Sequence, residues 1–208
     1  MRTLTTFAAF VALGVTALAA PPVPRPAKEL DIAEPGGAHH LLSSYKGKVV
    51  VVQCLFTTCP HCQAFSKDVL SKMQKDYGAR GFQALGLAFD DGVDDAKVHN
   101  YIIANQVNFP VGPAKRDTAL SFLGFSVMER LVVPQIAVID RKGQIVAETE
   151  SYPDGPAKLQ QEPYLRNLVE GLLGGGSAPA TGGNAKPATP STTGTGAAKK
   201  SDTKKPVS

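Results

Sequence analysis

The chain has 208 residues with three cysteines, no tryptophan and a formal net charge of +4. Most of this charge lies at the ends, because five lysines and one aspartate follow residue 174 and Arg2 lies near the start. The rest of the chain is nearly neutral, so its charge gives no argument for a nucleic-acid-binding domain. Its length suits one domain with an ordinary hydrophobic core.

Both ends of the chain have compositions that differ from the middle. Residues 1–19 combine a basic start, an apolar run and the cleavage pattern Ala17-Leu18-Ala19, which predicts a secretory signal peptide. An uncleaved membrane anchor is the alternative, but the run is short for a spanning helix. Residues 20–29 are proline-rich and predict an extended spacer, and residues 174–208 predict a disordered Gly/Ala/Pro/Thr/Lys-rich tail. Export would place the protein in the periplasm or outside the cell, where disulfides persist.

Apolar runs and turn residues predict an α/β domain over residues 30–173. In chain order the predicted elements are a helical turn at 41–48, a strand at 49–56, a helix to about residue 77, a strand at 82–89, a helix capped by Asp94, a short strand at 109–111, a short helix capped by Asp117, a strand at 135–140, a hairpin strand at 144–149 and a last helix from Pro163. The strand at 49–56 has no polar alternation, which is typical of a central strand in a parallel sheet.

The most informative motif is Cys59-Pro60-His61-Cys62, which lies between the first predicted core strand and the following helix. Its spacing puts the two sulfurs one helical turn apart, close enough to form a disulfide. The helix N-terminus supplies free N–H groups and partial positive charge, which favour a thiolate on Cys59. Since the thiolate is the nucleophile of thiol–disulfide exchange, we expect Cys59 to attack, Cys62 to resolve, and His61 to stabilise the thiolate.

These motifs resemble the thioredoxin-like superfamily, in particular its exported TlpA/ResA-type (AhpC/TSA-like) thiol–disulfide oxidoreductases. The resemblance is carried by Tyr45-Lys46-Gly47-Lys48, by the C-x-x-C motif, by Val133-Pro134-Gln135-Ile136 and by Ile139-Asp140-Arg141-Lys142-Gly143. It implies a thioredoxin fold: a central mixed sheet flanked by helices, with an N-terminal extension and one insertion between the βαβ and ββα halves.

The resemblance also implies a substrate groove and a class of partners. Pro134 would be cis and face the dithiol, so that the backbone at Val133 could bind an extended substrate chain. The partners would be proteins with thiols or disulfides and a redox partner that resets the dithiol. Membrane contact is conceivable only through the lysines of the tail, and a solvated tail is favoured. The sequence names no cofactor and no metal.

Three positions depart from the superfamily pattern. Thr58 stands where many members have tryptophan, Gln53 where thioredoxin has a buried acid, and Phe65 where ResA-type reductants have an acid. The pair Pro60-His61, by contrast, is the one found in the oxidase DsbA. A missing buried acid removes the proton shuttle expected of a reductant, so we expect an oxidant or isomerase rather than a reductant.

Two other functions remain as alternatives. A peroxiredoxin-type thiol peroxidase needs Thr or Ser three residues before its cysteine and Pro seven before, whereas Phe56 and Val52 stand there. A copper- or zinc-binding protein of this fold would have a histidine near the third core strand, and none follows His99. Both patterns disfavour these alternatives.

Four further sets of residues have an ordinary structural interpretation. Cys54 is expected to be a small buried hydrophobe rather than a resolving or metal-binding thiol. The pair His39-His40 is expected on the surface, with no third metal ligand near in sequence. Asp90-Asp91 and Asp94-Asp95 lack the spacing of a calcium loop and are expected to form a polar turn and a helix cap.

Overall fold

The computed structural model describes residues 21–150 and 157–174. The predicted signal peptide at 1–19 and, apart from Gly174, the predicted tail at 174–208 lie outside the described residues. None of the helices within the described part of the chain is long and apolar enough to cross a membrane.

A six-stranded mixed sheet forms the centre of the fold. The strands of the domain are β1 (Arg25–Pro26), β2 (Asp31–Ala33), β3 (His39–Leu41), β4 (Val49–Leu55), β5 (Phe82–Ala88), β6 (Val111–Pro113), β7 (Gln135–Ile139) and β8 (Gln144–Glu148). The central sheet has the order β1-β8-β7-β4-β5-β6, and β2 pairs with β3 in a separate hairpin. Strands β4, β5 and β6 are parallel, whereas β7 is antiparallel to β4 and β8 is antiparallel to β7.

Helices cover both faces of this sheet. They are α1 (Pro60–Ala64), α2 (Ser71–Tyr77), α3 (Asp95–Ala104), α4 (Arg116–Leu123) and α5 (Glu162–Leu173). Alternate residues of β4 enter two different cores: Val49 and Val51 pack with α1, α2, α3 and α5, whereas Val50 and Val52 pack with α4 and the β2–β3 hairpin. Every residue of β4 and β7 is buried. The mixed sheet with helices on both faces confirms the predicted thioredoxin fold.

The segment predicted as a spacer is part of the folded domain. It is extended, but β1 pairs antiparallel with β8, and Arg25 lies opposite Ile145. The Arg25 guanidinium forms an ion pair with Glu148 at 2.5 Å and donates to the Leu123 carbonyl at 2.8 Å. Backbone pairing and a mostly buried ion pair therefore hold this segment against the sheet.

Two helix predictions need correction. Asp94 does cap α3, accepting from the Lys97 N–H at 2.8 Å, but Asp117 does not cap α4. The residue before α4 is Lys115, and Asp117 lies inside the first turn, where a negative charge still favours the helix N-terminus. The long helix predicted to end at residue 77 is interrupted by a wider π-helical segment, Phe65–Leu70, between α1 and α2.

Candidate active site

The C-x-x-C motif lies at the carboxyl end of β4, where the chain turns into α1. Cys59 is the N-cap residue, with extended backbone angles, and Pro60 begins the helix, where a missing N–H has no cost. The Cys59 sulfur accepts a hydrogen bond from the Cys62 N–H at 3.4 Å, a backbone group that has no partner within a helix. The sulfur therefore takes the place that an oxygen has in an ordinary N-cap.

The two thiols of the motif differ in exposure. Cys62 is fully buried, whereas Cys59 is partly exposed, and both are free thiols in the structure. Burial raises the pKa of the Cys62 thiol, and its hydrogen bond with Cys59 acts in the same direction. Only Cys59 is open to a reagent or substrate from outside.

Val133 and Pro134 lie across from the dithiol, as the resemblance implied. The Val133–Pro134 peptide bond is cis, and the Val133 carbonyl oxygen lies 4.0 Å from the Cys59 sulfur. The Pro134 carbonyl accepts a hydrogen bond from the Gln160 side chain at 2.7 Å. The structure thus brings the two predicted groove residues to the exposed cysteine.

A cavity of about 240 Å³ opens beside this groove. Its lining combines apolar and polar side chains and includes His61, Phe65, Asp68, Pro134 and Gln160. His61 is exposed, whereas Phe65, which directly follows α1, belongs to the buried core. The predicted redox-tuning residue His61 therefore lines a cavity together with Pro134, one of the two predicted groove residues.

A buried polar network that was not predicted from the sequence lies behind Cys62. The Cys62 carbonyl accepts hydrogen bonds from the Gln53 amide and the Tyr101 hydroxyl, each at 3.1 Å. Ser66 contacts both side chains, with 2.6 Å to the Gln53 amide oxygen and 2.6 Å to the Tyr101 oxygen. Ser66 follows Cys62 by one turn in the same helical stretch and Tyr101 lies in α3, and the pattern of the motif itself marks neither residue.

The loop before Cys59 is fixed by two further side chains. The Asp90 carboxylate accepts from the Thr57 N–H at 3.0 Å and from the Thr57 hydroxyl at 2.7 Å. The Gln63 amide donates to the Thr57 carbonyl at 2.9 Å. Asp90 was predicted to lie in a polar turn. It follows β5, the strand beside β4, and this adjacency brings its carboxylate to the dithiol loop.

The remaining candidate residues do not join this site. Cys54 is fully buried in the core on the α4 face, where burial raises the pKa of its thiol, as expected of a buried hydrophobe. His39 lies in β3 and contacts Asp31, whereas its neighbour His40 contacts Glu34 and Tyr45. Within the described residues, no three His, Cys, Asp or Glu side chains are grouped to hold a metal ion.

A dithiol at the start of a helix, opposite a cis proline and on a central mixed sheet, defines a thioredoxin-fold redox protein. The chain belongs to the Redoxin family, whose profile matches residues 19–163. It is a thioredoxin-like thiol–disulfide oxidoreductase. Comparison with curated proteins gives no match.

Solved structures agree with this assignment. A thiol:disulfide interchange protein of the thioredoxin family from Chlorobium tepidum has 25% identity and a TM-score of 0.60, over 74% of this chain and 99% of that one. A thiol:disulfide interchange protein from Bacteroides sp. has 21% identity and a TM-score of 0.58, over 74% and 91% of the two chains. At that lower identity, the second comparison supports the fold alone.

Proposed function

We propose that the protein is an exported thiol–disulfide oxidoreductase that exchanges disulfides with protein substrates through Cys59 and Cys62. The observation that carries this proposal is the unequal burial of two thiols one helical turn apart. Exchange begins with an accessible sulfur, which is that of Cys59. Cys62 is shielded from substrates and acts on Cys59 within the same chain.

The exchange takes place in two steps. In the oxidising direction, a substrate thiolate attacks the Cys59 sulfur, the Cys59–Cys62 bond breaks, and Cys62 leaves as a thiolate that takes up a proton. A second substrate thiolate then attacks the substrate sulfur of the mixed disulfide, and Cys59 leaves. The substrate loses two electrons and gains a disulfide, and the protein gains the two electrons as its dithiol. Burial raises the pKa of Cys62, which favours its protonated form once it has left.

We further propose that the protein acts as an oxidant or isomerase rather than as a reductant. A reductant must remove the proton of its resolving thiol, and a nearby buried carboxylate serves that purpose. Here the side chains that bond the Cys62 backbone are an amide, Gln53, and a phenol, Tyr101, whose pKa burial raises. Neither is a proton acceptor of the strength of a carboxylate. The exposed His61 beside Cys59 supports the same direction, since an imidazole next to the sulfur can stabilise the reduced form.

The proposed location is the periplasm or the extracellular space. Its support is the signal-like pattern of residues 1–19, with a cleavage site after Ala19. Fractionation of cells that express the full chain, followed by N-terminal sequencing, tests it. Mature protein that begins at Ala20 in the exported fraction is expected, and full-length protein in the cytoplasm would contradict export.

Equilibration of the purified domain against glutathione buffers tests the proposed direction. The fraction of Cys59–Cys62 disulfide, measured by thiol alkylation and mass spectrometry, gives the reduction potential. We expect a value less negative than about −270 mV, the potential of thioredoxin. A value at or below about −270 mV would reverse the proposed direction and assign the protein to the reductants.

A further inference from the structure

The polar network behind Cys62 connects three separate elements to one peptide group. Gln53 belongs to β4, Ser66 to the π-helical segment and Tyr101 to α3, and all three are buried. Two of them donate to the same acceptor, the Cys62 carbonyl oxygen. The resolving cysteine is therefore attached through its own backbone to the central sheet and to a neighbouring helix.

The hydrogen atoms of this network can be assigned from the partners alone. The Gln53 amide oxygen has no proton, so the Ser66 hydroxyl must donate to it across 2.6 Å. The Ser66 oxygen can then only accept from Tyr101, at 2.6 Å. The single Tyr101 proton therefore has two acceptors, the Ser66 oxygen and the Cys62 carbonyl. The network is complete only while Tyr101 keeps its proton, and burial raises the pKa of Tyr101.

The helix itself is irregular where the network meets it. The Phe65 N–H is shared between the carbonyls of His61 and Cys62, and the following segment Phe65–Leu70 is π-helical. Such wider turns are rare and are frequent at functional sites. They loosen the regular helix ladder, so the position of the Cys62 peptide depends more on side-chain partners than it does in a regular helix.

We infer that Gln53, Ser66 and Tyr101 act together as positioning residues for Cys62 in disulfide exchange. They hold the Cys62 backbone so that its sulfur is aligned with the Cys59 sulfur when the bond between them forms or breaks. This inference rests on the proposed roles of Cys59 as nucleophile and Cys62 as resolving cysteine. It assigns no proton transfer to the network.

The step that the network controls is the intramolecular one. In a mixed disulfide between Cys59 and a substrate sulfur, the Cys62 thiol loses its proton and attacks the Cys59 sulfur. The Cys59–Cys62 bond forms, the bond to the substrate breaks, and the substrate sulfur leaves as a thiolate that takes up a proton. Misalignment slows this step most, because the earlier attack by Cys59 involves the Cys62 N–H but not the Cys62 sulfur.

A symmetrical nitroaryl disulfide, whose released thiolate absorbs visible light, separates the two steps. The reagent is mixed in excess with the reduced protein. It releases one thiolate when Cys59 attacks, at a rate proportional to reagent concentration. It releases a second thiolate when Cys62 attacks, at a rate independent of reagent concentration. We expect Tyr101→Phe to slow the second phase roughly tenfold, since loss of alignment in an intramolecular reaction has effects of this order or larger. The first phase should change less than about twofold.

Tyr77→Phe is the matched control. Tyr77 is also a buried tyrosine, with 6% of its surface exposed against 3% for Tyr101, and its hydroxyl donates to Glu170 at 2.6 Å. Among the described residues, the hydrogen bonds of its hydroxyl join it to Glu170 and Arg166 and not to the dithiol network. Tyr77→Phe should leave both phases unchanged even if it lowers the melting temperature as much as Tyr101→Phe does. Ser66→Ala provides a second variant, with the same selective loss expected, should Tyr101→Phe not fold.

Three results would overturn the inference. The first is a second phase of wild-type rate in Tyr101→Phe and Ser66→Ala. The second is an equal slowing of both phases, which would indicate a general structural role. The third is a slowing whose factor changes with pH, which would indicate that Tyr101 transfers a proton. A wild-type protein that releases only one thiolate would instead refute the proposed role of Cys62, and this outcome is seen without any variant.

Discussion

A buried carboxylate outside the dithiol motif should govern how the stability of the domain depends on pH. Glu148 lies in β8 with 7% of its side chain exposed, and burial raises its pKa from 4.5 to about 7 despite the ion pair with Arg25. One of its oxygens bonds Arg25, and the other has no hydrogen-bond partner within the described residues. The folded state therefore binds a proton at pH values where the unfolded chain has lost it.

The sign and size of the effect follow from these two pKa values. A carboxyl group with a raised folded pKa contributes stability that is complete below the unfolded pKa of 4.5 and is lost as the pH rises through about 7. The full shift corresponds to about 3 kcal/mol, of which about 2.5 kcal/mol is lost between about pH 5 and about pH 8. Glu148→Gln removes this titration and leaves Arg25 without its ion pair at every pH. It therefore removes the contribution of Glu148 to the pH dependence of the free energy of unfolding and adds no new titrating group.

Urea unfolding at several pH values measures this contribution. The free energy of unfolding of the wild type should fall relative to that of Glu148→Gln by about 2.5 kcal/mol between about pH 5 and about pH 8. Asp91→Asn, at an exposed position, is the control and should follow the wild type. Parallel pH profiles for the wild type and Glu148→Gln would refute the assignment of the raised pKa to this residue.

Two further substitutions test the role of His61 in the redox site and the packing of the β2–β3 hairpin. His61→Pro should lower the reduction potential measured in glutathione buffers, because it removes a group that favours the Cys59 thiolate, and an unchanged potential would remove that role. Gly112→Ala would place a methyl group against the backbone of Ala33 in β2, so it should lower the free energy of unfolding by about 2 kcal/mol. Gly36→Ala, with no atom within 4 Å of the added carbon, should change it by less than about 0.5 kcal/mol, and equal effects would contradict the close approach of β2 to β6.

The core of the fold was predictable because its signals are local. The strands β4, β5 and β7 are mostly apolar and lack polar alternation, and a run of that kind has few arrangements other than a strand buried on both faces. The strands β1, β2 and β3 were missed because they have two or three residues each and include proline, aspartate or histidine. In addition, β1 forms only by pairing with β8, which is distant in sequence.

The same distinction between local signals and contacts of distant segments applies to the candidate site. The dithiol, His61 and the Val133–Pro134 pair lie in motifs that the sequence displays directly. Asp90 and Tyr101 reach the site only because β5 lies beside β4 and α3 packs on the helix that carries Cys62. A sequence without aligned relatives carries no signal for such contacts between distant segments. Gln53 was noted as the replacement of a buried acid, but its two hydrogen-bond partners could not be inferred.

The central claim is that Cys59 is the nucleophile and Cys62 the resolving thiol. Burial raises the pKa of both Cys62 and Cys54, so neither should react readily with an external reagent. Brief alkylation of the reduced native protein at mildly acidic pH, followed by peptide mass mapping, tests the claim most directly. The account predicts that Cys59 is modified first while Cys54 and Cys62 react only after denaturation, whereas preferential labelling of Cys62 or Cys54 would contradict it.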